Sequence, residues 1–424
     1  MNILLSHPTG NANVRATANA FLDNGLLAEF HTSIASFPGS VIDRIGGIKA
    51  LGEIRRRRFA ERLQKVTRTS PLRETLRLIS SKVGLAELTR HETGVFSIDS
   101  ICKNIDVQTA KRLLCSPELF AGAYAYEDAA LQTFTNAKHL GLLCLYDLPI
   151  GYWRAAKVLL ESENEMWPEW APTITGNNDS VEKLARKDLE IELSDQIFVA
   201  SSFTAKTLDY FPGKTPPITV IPYGFPPVCN ERVYKKFNNR RLKILFVGGL
   251  SQRKGIAYLF EAVEQLKEHV DLTLVGHKAT PDCLPLNKAL MKHRWIPTLP
   301  HSEILSLMSQ HDVLIFPSLF EGFGLVITEA MSQGTPVITT DRTAGPDLIQ
   351  HGRNGWLIEA GSTSSLIKAL EQLLFNPSDM VSVGKEAMET ARLRPWEVYG
   401  KELAAAVIEA LNNNNKLLSD KNRL

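Results

Sequence analysis

From end to end the chain alternates short apolar runs with amphipathic stretches, and this one feature confines it to stacked, parallel βα units. Strands are expected at Asn2 to Ser6, Leu142 to Tyr146, Gln196 to Ala200 and Ile218 to Pro222. The turn Pro8 to Asn13 follows the first of them and leads into a helix reaching about Leu22. A polar, basic stretch, Lys235 to Arg241, then has the composition of a linker. A second α/β set opens with Lys243-Ile244-Leu245-Phe246-Val247-Gly248 and continues with strands at Leu272 to Val275, Val313 to Phe316 and Val337 to Thr340. At 424 residues the chain exceeds one ordinary core. The expectation is an α/β protein of two Rossmann-like domains facing a central cleft, with ligands at the carboxyl ends of the strands.

Composition narrows the function classes. Hydrophobic residues make up 44% and charged residues 22%, as in a soluble globular protein, and a formal net charge of +2 gives no argument for a nucleic-acid partner. Cys102, Cys115, Cys144, Cys229 and Cys283 are dispersed, which suits reduced thiols in a cytoplasmic protein and neither a disulfide frame nor a zinc site. The opening residues read as a first strand and not as a signal peptide. No apolar run approaches the ~18 residues of a membrane span. One segment departs from the overall balance: between Arg44 and Lys82 there are twelve basic residues and three acids, a net of +9. Ile54, Phe59, Leu63 and Val66, then Leu72, Leu76 and Ile79, recur there at roughly helical spacing. Segment 44–82 is therefore a candidate surface for anionic lipid, which would make the protein peripheral on the cytoplasmic face of a membrane. The alternatives are a solvated helix packed on its own domain, or a phosphate-binding face for an acceptor.

The strongest motif is Phe316-Pro317-Ser318-Leu319-Phe320-Glu321-Gly322-Phe323-Gly324-Leu325-Val326-Ile327-Thr328-Glu329-Ala330. A buried strand should end at Pro317 and a helix should begin near Gly324. No Ser, Thr, Asp or Asn directly precedes that helix, so its first N–H groups and the positive end of its dipole are left to meet an anion such as a diphosphate. Glu321 precedes the helix and Glu329 is expected two turns into it. Eight helical residues rise about 12 Å, wider than the ~5–9.5 Å between the paired carboxylates of glycosidases. Two hydroxyl-binding acids at opposite ends of a long ligand fit better, and a nucleotide sugar has hydroxyls at both ends with a diphosphate between. The second motif, Phe246-Val247-Gly248-Gly249-Leu250-Ser251-Gln252-Arg253-Lys254-Gly255, is another glycine turn leading to a helix, here with two cations. Cations aimed at a departing diphosphate stabilise the transition state more than the ground state.

With Val220-Ile221-Pro222-Tyr223-Gly224, Gly334-Thr335-Pro336-Val337-Ile338 and His351-Gly352-Arg353-Asn354-Gly355-Trp356-Leu357, these motifs resemble the retaining, GT-B-fold glycosyltransferases of family 4, the glycosyl transferases of group 1. The resemblance covers the C-terminal half. It implies an N-terminal acceptor domain over 1–235, a donor domain over 236–394, and a final helix at about 395–412 that packs back on the first domain. It further implies that Arg253 and Lys254 bind the donor diphosphate and that Glu321 binds the transferred sugar, helped by backbone N–H groups near Phe323 and Gly324. Glu329 would bind the ribose, the backbone at Leu325 and Val326 would face the phosphates, and Gly249 stands where many relatives carry arginine. Gly10 and Asn11 fit the family's N-domain loop near donor and acceptor. Asp147 follows a central strand where many members have histidine, and is a candidate sugar or acceptor contact. Tyr124 and Tyr126, with Trp153, Trp167 and Trp170, are candidate liners of an acceptor cleft.

The function so implied is retaining hexosyl transfer from a nucleotide diphosphate sugar to a glycan or lipid-linked glycan. No metal or other cofactor is expected, since the family uses none and the chain has no Asp-x-Asp triplet or His/Cys cluster. A nucleotide-sugar epimerase, a glycan phosphorylase and a non-catalytic glycan-binding or scaffold subunit are the alternatives on the same fold. A dinucleotide-dependent dehydrogenase is disfavoured, because no Gly-x-Gly-x-x-Gly follows the first strand of either half.

Overall fold

The computed structural model describes residues 2–45, 57–174, 179–234 and 240–421. Runs such as Ile3-Leu4-Leu5-Ser6 and Val313-Leu314-Ile315-Phe316 are buried at every position, as strands covered on both faces must be. Among the described residues seven strands form a first sheet: β1 (Ile3–Ser6), β2 (Leu27–Thr32), β3 (Thr67–Thr69), β4 (Gly122–Tyr126), β5 (Leu143–Leu148), β6 (Gln196–Val199) and β7 (Ile218–Val220). Six form a second: β8 (Leu242–Val247), β9 (Val270–Val275), β10 (Arg294–Ile296), β11 (Val313–Phe316), β12 (Val337–Thr340) and β13 (Trp356–Ile358). Their orders are β3-β2-β1-β4-β5-β6-β7 and β10-β9-β8-β11-β12-β13, with every pair parallel. In each sheet the order reverses beside the first strand, between β1 and β4 and between β8 and β11. Those reversals open the crevices where ligands of doubly wound sheets collect.

Each half reaches across to the other. The last helix, Trp396–Lys421, buries Tyr399, Leu403, Ala404, Val407 and Leu411 in the same core as Val14, Ala18 and Phe21 of the first helix, Ala12–Asp23. Glycine permits the approach: a Cβ on Gly400 would lie 2.8 Å from that of Ala20, and one on Gly224 would lie 2.4 Å from the Cα of Trp396. In the opposite direction, the helix Trp153–Met166 starts on the first domain, where Trp153 and Arg154 donate to Asp188, and leads to the 3-10 segment Pro168–Thr173, which lies on the second domain. Trp170 enters the core around β8 and stacks on Phe260 at 5.8 Å between ring centroids.

The basic segment divides in two. Phe59 and Leu63 are core residues, and the surrounding cations are engaged: Arg57 and Arg77 with the buried Glu74, Arg68 with Glu29, Arg62 with Asp23 and Arg58 with Asp43. The helix Leu72–Lys82 is turned the other way about. It buries Glu74 and Ser80, while Leu72 is 71% and Ile79 51% exposed. Residues 46–56 of this segment, and 235–239 of the expected linker, lie outside the described residues. Arg240, at the linker's end, is fixed to Asp312 at 2.7 Å. No helix among the described residues is long and apolar enough to cross a membrane.

Candidate active site

At the second sheet's reversal two loops interlock through bare backbone. The loop after β8 ends in a 3-10 turn, Gln252–Lys254, capped by Ser251, whose hydroxyl accepts from the Arg253 N–H at 3.2 Å. Gly255 then takes a φ of +69°, and a Cβ there would sit 2.0 Å from the Pro317 carbonyl oxygen, so only glycine fits. The Leu319 N–H and the Ser318 hydroxyl both donate to the Arg253 carbonyl, at 2.9 and 3.2 Å. These bonds tie the cation-bearing turn to the loop after β11. Lys254 Nζ contacts Glu321 Oε2, and Arg253 Nη1 lies 3.3 Å from the same oxygen while donating to the Phe320 carbonyl at 2.7 Å. Lys254 Nζ also stands 4.7 Å from the centroid of the Phe316 ring. Burial, and then the neighbouring guanidinium, push the Lys254 ammonium well below its ordinary pKa; contact with Glu321 opposes them. Burial likewise lowers Arg253. Arg253, Lys254 and Glu321 thus converge on one spot, while Gly249 in the same loop faces open space.

The helix after this loop is Leu325–Ser332, with Gly324 as its N-cap at φ +86° and no side-chain cap. A Cβ on Gly324 would come within 2.8 Å of the Phe316 ring. The helix starts only at Leu325, so Glu321 and Glu329 are not separated by eight helical residues, and Glu329 sits little more than one turn in. The expected two turns and 12 Å rise do not apply, because the left-handed Gly324 breaks the regular rise. Leu325 and Val326 occupy the first turn, where unpaired N–H groups point outward. Glu329 Oε1 lies 3.0 Å from His301 Nε2, and that contact raises the imidazole pKa. Nothing in the spacing of the sequence links residue 301 to residue 329; the pairing comes from the helix His301–Met308 packing beside Leu325–Ser332.

Across the crevice, Gly10 ends the loop after β1 and Asn11 is the N-cap of Ala12–Asp23, with no side-chain cap bond. Gly10 is required by Phe59, whose ring would stand 2.6 Å from an added Cβ. His7 is a buried strand-end histidine in contact with the Thr9 backbone, edge-on to Tyr126, and burial holds its pKa down at about 4. The two domains touch through Tyr223, which accepts from Asn13 Nδ2 at 3.1 Å and packs on Phe323 at 4.8 Å. Thr204 and Ser201 donate to the Gly322 carbonyl, the former at 2.9 Å. A Cβ on Gly322 would lie 2.1 Å from the Pro149 carbonyl oxygen, so the loops after β5 and β11 meet backbone to backbone.

Asp147 is placed differently from a loop residue. β5 runs on to Leu148, and Asp147 is a buried strand residue whose Oδ2 accepts from the Tyr124 hydroxyl at 2.7 Å. Burial raises its pKa to about 7, with the Tyr124 and Tyr126 hydroxyls pulling the other way. Tyr124 and Tyr126 are themselves core, as is Trp170; only Trp153 of the aromatics considered lines an interdomain cavity of about 630 Å³, beside Lys157, Lys187, Arg253 and Phe320. Among the described residues His91, Glu92 and Asp179 form the one group spaced to hold a cation, and Lys183 stands 3.0 Å from Asp179 there.

Residues 230–390 match the family described as glycosyl transferases group 1. A D-inositol 3-phosphate glycosyltransferase from Corynebacterium glutamicum is 30% identical over 188 residues, covering 41% of this chain and 44% of that protein. The chain thus spans less than half the length of this curated relative. In three dimensions the likeness extends further. Sucrose-phosphate synthase from Thermosynechococcus elongatus superposes with a TM-score of 0.66 at 16% identity, covering 97% of this chain and 100% of that one. Anabaena HepE in complex with UDP gives 0.60 at 16% identity, covering 96% and 100%. The match to the group 1 glycosyl transferases thus lies on the second domain, and the two parallel sheets have the two-domain GT-B fold.

Proposed function

We propose that this chain, a group 1 glycosyltransferase by its second domain, transfers a hexosyl unit with retention from a nucleotide diphosphate sugar to a glycan or lipid-linked glycan. The observation that carries the reading is the meeting of Arg253, Lys254 and Glu321 at the reversal of the second sheet, beside an uncapped helix start. Two cations and exposed N–H donors suit a diphosphate. A diphosphate carries more charge than a carboxylate, so it would exchange with Glu321 for Lys254 and Arg253 and leave Glu321 to accept from sugar hydroxyls. Glu329 stands further along the same helix, where ribose hydroxyls would lie, and HepE, of the same fold, binds UDP. The acceptor hydroxyl would attack on the face from which the diphosphate leaves, with the leaving phosphate taking the proton, so no side chain is assigned as general base. The cavity beside Arg253 would be the acceptor's path to that face. No metal enters this scheme: the cations at the diphosphate are the chain's own. The location we propose is the cytoplasmic side of a membrane, held peripherally through segment 44–82.

The test is a thermal-shift screen against UDP-, GDP-, ADP- and dTDP-sugars without metal. A donor at a hundred times its dissociation constant adds about 2.7 kcal/mol. The shift should appear with one nucleotide series and vanish in Lys254→Ala and Glu329→Ala. Turnover of Lys254→Ala should fall about 10²–10³-fold, the usual effect of removing one preorganised transition-state donor. Full turnover in the folded variant would remove Lys254 from the reaction, and release of nucleoside diphosphate without an acceptor requirement would count against transfer.

A further inference from the structure

The turn that carries Arg253 and Lys254 is held from the other domain through the residue before them. Gln252 is completely buried, and its polar atoms are all committed. Its N–H donates to Thr173 Oγ1 at 2.8 Å, its Nε2 donates to Glu163 Oε2 at 3.0 Å, and its Oε1 accepts from the Ala257 N–H at 3.0 Å. Its carbonyl closes the turn by accepting from the Gly255 N–H at 2.7 Å. Glu163 is itself buried, and besides Gln252 it is served by the Tyr258 hydroxyl at 2.9 Å. Thr173 donates onward to the Trp170 carbonyl at 2.7 Å, and Trp170 is anchored on Phe260. A buried carboxylate met by an amide and a phenol is costly to place unless those bonds are made, so the pairing fixes Gln252 in one orientation.

We infer that Glu163 and Thr173, on the segment that the first domain lays across the second, are positioning residues for the diphosphate cations. They touch no substrate. They act by fixing Gln252, and through it the direction in which Arg253 and Lys254 leave the turn. Recognition of a diphosphate by two cations depends on such placement, and a shift of about 1 Å at a reacting group costs on the order of 10²-fold. The inference rests on the donor-site reading of Arg253 and Lys254 and adds to it a dependence on the first domain.

The experiment is calorimetric titration of the full chain with UDP, GDP and ADP and with the matching monophosphates. In Glu163→Ala and in the near-isosteric Thr173→Val, affinity for the preferred diphosphate should fall about tenfold or more, some 1.4 kcal/mol. Affinity for its monophosphate should stay within about twofold of wild type, well under that tenfold step. Glu163→Gln keeps an oxygen for Gln252 Nε2 and should restore diphosphate affinity. Equal losses of both ligands would mean a general structural defect, and unchanged diphosphate affinity in both variants would mean no positioning role; either overturns the inference. If Glu163→Ala does not fold, Thr173→Val alone decides, since it removes one acceptor without opening a cavity. Lys254→Ala is the separate arm. If it keeps full diphosphate affinity, the donor-site reading falls and takes this inference with it; if it loses affinity while the other two keep theirs, only this inference falls.

Discussion

Single residues here carry strain and charge that the surrounding structure must offset. Asp147 is the clearest case, a buried acid whose pKa stands near 7 in the fold against 3.8 in an ordinary environment. Between those values the folded state holds a proton that the unfolded state has released, so stability falls as pH rises from about 4 to 7 and levels off above. Asp147→Asn should therefore raise the melting temperature by an increment that grows over that window; an increment independent of pH would show that Asp147 ionises normally. Gly255 carries the opposite kind of demand, a left-handed φ with the Pro317 carbonyl pressed against the missing side chain. The sequence shows Gly255 at the end of a glycine-turn motif but not its partner, which lies on another strand's loop. The setting of Asp147 was not legible either, because the strand was expected to stop before it, and burial by Tyr124 from a neighbouring strand is invisible along the chain.

Elements differ in how faithfully their sequence pattern predicts the face they bury. Apolar runs such as Val313–Phe316 and Val337–Thr340 became strands at the expected positions, since only a core satisfies them. The helix Leu72–Lys82 breaks this rule. Leu72 and Ile79 look outward because Glu74 is taken inward by Arg57 and Arg77. A buried acid with two guanidinium partners is stable there, and only losing both would leave its charge unpaired. This outward face is where binding to anionic vesicles should act. Co-sedimentation with anionic vesicles should weaken with salt and drop in the double variant Leu72→Ser, Ile79→Ser. Their exposure predicts a change in the melting midpoint within the ±0.5 kcal/mol usual for surface substitutions. Equal binding to neutral vesicles would remove the lipid role.

For the whole molecule, the two domains are joined by exchange as much as by a linker. The helix Trp396–Lys421 completes the core of the first domain, and Pro168–Thr173 lies on the second. Leu403, fully buried between Trp396–Lys421 and the first helix, tests this: Leu403→Ala should cost about 2–5 kcal/mol, as deletions in packed cores do. The midpoint of denaturation should then move for both halves together, followed by tryptophan fluorescence of Trp170 and Trp396. A loss confined to fraying of the last helix would show that it is only appended. The halves also meet directly, since Gly322 and Pro149 approach each other without side chains between them.

By itself the sequence determined the two α/β halves, four of the six strands described in the second sheet, the loops at which Arg253, Lys254 and Glu321 stand, and the helix that carries Glu329. Those features are local: apolar runs need covering, glycines mark turns with bare backbone, and uncapped helix starts invite an anion. The tertiary structure alone decided what each of these residues touches. Glu321 meets Lys254, Glu329 meets His301, and Gln252 is clamped by Glu163 and Thr173 from the other half of the chain. Such contacts join residues far apart in sequence through the parallel stacking of strands and the crossing of two segments. No period or spacing along the chain encodes them.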